Sequence, residues 1–80
     1  MSRDNVPGYQ RVIDAIHADI EAGRLVPGDQ LPTAAVLAKQ HEVGITTVRY
    51  AINILIVLGV LRGRQGVGVF IEERRDGGSE

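Results

Sequence analysis

TAAVLAKQHEVGITTVRYAINILIVLG, residues 33–59, reads as two helices joined by a tight turn. Thr33 carries the hydroxyl with which an N-cap accepts a free backbone N–H, so it marks a helix start. That helix is expected from Ala34 to about Gln40, with Leu37 and Ala38 facing inward; Val36 at its third position supplies no capping-box acid. A turn through His41, Glu42, Val43 and Gly44 then leads into a longer helix, roughly Ile45 to Leu58. Its inward residues are Val48, Ile52 and Leu55, at spacings of four and three, and Gly59 ends it.

On the N-terminal side, Tyr9, Val12, Ile13, Ile16 and Ile20 recur at spacings of three and four, with Asp14, His17, Asp19 and Glu21 between them. This is an amphipathic helix, for which Pro7 suits the first turn and Gly23 the end. Leu25, the Pro27-Gly28-Asp29 turn and Leu31-Pro32 predict a short edge strand or extended connector. On the C-terminal side, Val60 to Arg62 and Val69 to Glu72 are apolar or β-branched runs flanking a glycine-rich segment, Gly63 to Gly68, and predict a two-stranded hairpin. The order helix, helix, helix, hairpin is an α+β, mainly α, winged helix-turn-helix. One domain is expected over residues 1–73, with a polar tail or linker start over 74–80.

With 44% hydrophobic and 24% charged residues, the 80-residue chain has the composition of an ordinary folded domain. It has no cysteine, which removes disulfides, zinc-thiolate sites and thiol nucleophiles and permits a cytoplasmic setting. The longest apolar run, Ala51 to Leu61, is broken by Asn53 and Gly59 and falls short of the roughly 20 residues of a membrane helix; no signal peptide is expected before the folded pattern. The net charge of −1 is low for a nucleic-acid binder, but its distribution is uneven. Residues 1–42 hold six acids against four bases and residues 72–80 four against two, whereas Val43 to Ile71 holds Arg49, Arg62 and Arg64 and no acid. One side of the domain is thereby electropositive.

A short helix, a turn and a second helix bearing Thr46, Thr47 and Arg49 in its first turn is the arrangement that sets side chains at major-groove edges. At the hairpin tip Gly66 and Gly68 lack side chains, so the backbone can approach a minor groove closely, with Arg64 and Gln65 beside it as donors. Over Tyr9 to Ile71 the chain resembles the N-terminal domain of GntR-family regulators. The matching residues are Gly23 to Pro32, Leu37-Ala38, Thr46-Thr47-Val48-Arg49 followed by Ala51-Ile52, and Gln65 to Ile71. The resemblance implies sequence-dependent binding to double-stranded DNA, repression by promoter occlusion, and a site comprising Thr33, Gly44, Ile45, Thr46, Thr47, Arg49, Arg64, Gln65 and Gly66. It also implies dimers and a C-terminal effector-binding domain as partners.

The chain departs from the family where the family has a Glu-Arg pair, at Ala34-Ala35, and a Ser-Arg pair, at Gly44-Ile45. An arginine bidentate to guanine supplies roughly 1–3 kcal/mol of discrimination, so Ile45 should relax or redirect sequence preference while still offering apolar contact to a thymine methyl. Ile54, Ile56, Val57 and Leu58, added to Ile52 and Leu55, make the third helix apolar nearly all round, which predicts an interface unless helix 1 and the hairpin cover it. The glycines lack the order of a nucleotide-binding loop, and His17 and His41 sit on different helices, so no cofactor, metal site or enzyme activity is expected. The rival is a winged-helix protein-interaction module that has lost DNA reading.

Overall fold

The structure, a computed structural model, describes residues 6–73; the expected tail at 74–80 lies outside the described residues. Three helices and a hairpin follow in the order expected: α1 (Gly8–Glu21), α2 (Ala34–His41), α3 (Ile45–Val57), β1 (Leu61–Arg64) and β2 (Gly68–Ile71). Pro7 is the N-cap of α1, where its carbonyl accepts the amides of Gln10 and Arg11 at 3.0 and 3.1 Å. The helix closes at Ala22, after which Gly23 takes a left-handed φ of 82°.

Thr33 caps α2 as its sequence position predicts, its Oγ1 accepting the Val36 amide at 3.2 Å. The turn after α2 depends on Glu42, whose φ of 56° and ψ of 48° lie in the left-handed region. That conformation lets the Val43 amide reach the Ala38 carbonyl at 3.0 Å and redirects the chain into α3 within three residues. A non-glycine residue there carries a penalty of about 1 kcal/mol. Glu42→Gly is accordingly expected to raise the unfolding free energy by about 0.5 kcal/mol once glycine's extra unfolded-state entropy is offset. The check is a higher urea midpoint at unchanged m value.

Eight of the 13 residues of α3 are β-branched, a composition of modest intrinsic helicity, so packing rather than propensity holds this helix. Val48, Ala51, Ile52 and Leu55 are buried on it and meet Val12, Ile13 and Ile16 of α1, Leu37 and Ala38 of α2, Leu31, Leu61 and Ile71 in one core. Ala51 is fully buried beside the three inward residues expected. Among the described residues no polar or charged side chain is buried, so the core has no buried ionisable side chain to satisfy.

The hairpin pairs Leu61 with Ile71, Arg62 with Phe70, Gly63 with Val69 and Arg64 with Gly68. It thus runs further toward the tip than the sequence pattern predicts. Gly63 and Gly68, read as loop because glycine has little strand preference, are ladder positions, and the turn is only Gln65 to Val67. Gly66, at φ 79°, supplies the left-handed residue that a three-residue hairpin turn needs. The connector before α2 is extended and pairs along the free edge of β2. Gly28 donates to Ile71 O at 2.9 Å, Ile71 to Asp29 O at 2.8 Å, and Leu31 to Val69 O at 2.7 Å. β2 is therefore the middle of a small three-stranded arrangement that ties the wing to the entrance of α2.

Candidate nucleic-acid interface

Gly44 is the N-cap of α3 in an extended conformation (φ −75°, ψ 158°) with no side-chain cap. The first-turn amides of α3 therefore remain available to an outside acceptor, and the positive end of the helix faces the same way. Ile45 is 42% exposed, and Thr46, Arg49 and Tyr50 are also exposed. Thr47 differs from the expectation of a fully presented side chain. It is half-buried, and its methyl lies 3.4 Å from where a side chain on Gly8 would begin, so it packs α3 against the start of α1. Tyr50 meets the Tyr9 ring edge to face, centroids 4.9 Å apart at 83°, and fastens the same two helices from the exposed side.

Arg49 lies in a cleft bounded by Gln30, Thr33 and Ala34 at the entrance to α2, by Asn53 one turn further along α3, and by Val67 to Val69 of the wing. Three elements distant in sequence thus share one surface. Thr33 keeps its hydroxyl proton for an outside acceptor, because its cap bond uses the oxygen as acceptor. At the wing, Arg64, Gln65 and Gly66 are exposed at and beside the turn.

Of the three arginines in the acid-free stretch, Arg62 is not available in the way the charge count suggests. Its Nε stands 3.7 Å from Glu72 Oε1 across the hairpin, so a flanking acid offsets it. Arg49 and Arg64 make no ion pair among the described residues. Asn53 and Gln30 were not singled out from sequence as site residues. Asn53 was legible as the residue four after Arg49 on the exposed face; Gln30 carried no local signal, because its place beside the wing arises only from folding.

Of the residues expected at an interface, Ile54 is partly buried and packs against the core, and Ile56 is at the margin of exposure. Val57 and Leu58 are 83% and 63% exposed, so neither helix 1 nor the wing strands cover Leu58. Leu58 lines a second hollow together with His17, Ile20, Pro27 and Val60. Among the described residues there is no group of His, Cys, Asp or Glu able to hold a metal ion, and no helix long and apolar enough to cross a membrane.

Three helices, a turn closed by a left-handed residue, and a hairpin laid beside the third helix define a winged helix-turn-helix domain. The sequence pattern of the gntR family of bacterial regulatory proteins matches residues 8–71, and the chain belongs to that family. It is 38% identical over 69 residues to the mannosyl-D-glycerate transport/metabolism system repressor MngR of Escherichia coli K12, covering 86% of this chain and 29% of that protein. It is 31% identical over 70 residues to the HTH-type transcriptional regulator YhcF of Bacillus subtilis 168, covering 88% of this chain and 58% of that one. Among solved structures, a GntR family transcriptional regulator from Listeria monocytogenes superposes with a TM-score of 0.85 at 29% identity, over 91% of this chain and 64% of that chain. The AraR DNA-binding domain in complex with an operator gives 0.81 at 34% identity, over 89% and 86%. The chain thus spans less than two thirds of the length of MngR and YhcF.

Proposed function

We propose that this chain is the duplex-DNA-reading head of a bacterial transcriptional repressor acting in the cytoplasm, not an enzyme. In this reading α3 enters the major groove and the wing tip the adjacent minor groove. The observation that carries it is the shared surface on which Arg49 and Asn53 of α3 face the wing across the entrance of α2. The names of the relatives support the same reading, since MngR is a repressor and the AraR domain was solved on its operator.

Each exposed group has a place in this docking. Thr33 and the free first-turn amides of α3 suit phosphate oxygens, which position without specifying. Ile45, Thr46, Arg49 and Asn53 suit base edges; Ile45 offers a thymine methyl an apolar contact where an arginine would select guanine. Arg64 and Gln65 suit the minor groove, with Gly66 letting the backbone come close.

The test is a titration against random duplex DNA at about 50 and 200 mM salt. Affinity is expected to fall with a log–log slope of about −0.9 for each phosphate contacted. Absence of binding at the lower salt would overturn the reading and favour the protein-interaction module.

A further inference from the structure

We propose that Gln30 is a positioning residue that fixes the wing tip for DNA, its side-chain amide standing in for a strand that turns away; this rests on the wing being a DNA contact. The connector runs antiparallel to β2, and its last ladder bond is Leu31 N–H to Val69 O at 2.7 Å. In an antiparallel ladder the next donor from the connector is two residues on, so Thr33 N–H would take Val67 O. That bond is not made, because the chain leaves β2 at Thr33, the N-cap residue that opens α2.

The carbonyl left without its strand partner is met by Gln30, whose Nε2 donates to Val67 O at 3.1 Å across 37 residues of sequence. The side chain reaches it by lying over Gly68. A side chain on Gly68 would collide with the Gln30 amide nitrogen, and its φ of 148° favours glycine in any case. A glycine and a glutamine from distant segments therefore fit one another, and their fit sets the angle at which Gln65 to Val67 leaves the domain. Beyond that bond, among the described residues the turn is held by the β1 ladder and by Val67 N–H to Arg64 O at 3.0 Å. The consequence is that Gln30, which touches no DNA in this reading, governs where Arg64 is presented.

The test compares Gln30→Met, which keeps the cover over Gly68 but has no donor, with Gln30→Ala, which removes both. Duplex affinity is measured in parent and Arg64→Ala backgrounds, and amide hydrogen exchange across residues 65–68 is measured on the free protein. Gln30→Met is expected to weaken binding about threefold to tenfold, the effect of one hydrogen bond. The same change in the Arg64→Ala background should have an effect under about twofold, because non-additivity marks residues acting through one another. Exchange across residues 65–68 should quicken while the melting temperature holds. Equal losses in both backgrounds, or unchanged exchange, would overturn the proposal. If the parent itself fails to bind duplex DNA, the docking reading falls, and the exchange result still decides whether Gln30 braces the tip.

Discussion

Leu55→Ala is expected to remove about 2–5 kcal/mol of stability, which for a domain of this size is a large part of the total. Leu55 is fully buried in the last turn of α3, a helix that packs against α1, α2 and β1. Two effects oppose each other at this position. Alanine is the better helix former, which favours the variant by a few tenths of a kcal/mol. Against that stands a cavity in a core of a dozen buried apolar residues among those described, and the cavity wins by an order of magnitude. Because α3 is rich in β-branched residues, it has little helicity of its own to fall back on. The expected result is a melting temperature lower by roughly 10–30 °C. Val57→Ala is the control two residues away. At 83% exposure it should stay within about 0.5 kcal/mol of the parent. Similar losses for the two variants would mean that α3 is not packed as described.

How far the sequence carried depends on whether a feature was written locally. The caps were: Thr33 has the right hydroxyl, and Gly23 and Gly59 have the freedom that their left-handed φ of 82° and 83° requires. The inward faces were, since Val12, Ile13 and Ile16 of α1 and Val48, Ile52 and Leu55 of α3 repeat at helical spacing. Ala51 escaped because a methyl gives a weak hydrophobic signal, although a small residue is what lets two helices approach. The hairpin was legible but its register was not. Gly63 and Gly68 look like loop residues in sequence, and only the demand of a three-residue turn puts them in the ladder.

The site was legible on α3 and less so at the wing. Arg49 was identified from its place with Thr46 and Thr47 at the start of α3, and it is exposed in the cleft. Thr47 looked identical to Thr46 in a linear reading, yet the approach of α1 at Gly8 buries half of it. Arg62 looked equivalent to Arg64, and the cross-strand Glu72 separates them, because strand pairing brings together residues that charge counting assigns to different segments. The apolar excess of α3 also divides only in three dimensions, with Ile54 turned toward the core and Val57 and Leu58 left outside.

Arg49→Ala is expected to weaken duplex binding by about 1–3 kcal/mol, or roughly fivefold to 150-fold, with the fold intact. Ile45, Arg49 and Asn53 are spaced four apart and exposed, so they form one stripe along about 12 Å of α3, comparable to the width of a major groove. Arg49 is the only cation in that stripe, with an apolar residue on one side and an amide on the other. No neighbour in the stripe can replace its charge. Its own side chain is solvated and unpaired among the described residues, so removing it costs the free domain little. A melting temperature within a few degrees of the parent verifies that point. What the loss looks like across a library of duplexes then identifies the contact. A uniform loss, with the salt slope shallower by about one, means a phosphate; a loss confined to some sequences means a base edge. Affinity within about twofold of the parent on every sequence would mean that this stripe does not face DNA, and the docking through α3 would have to be abandoned.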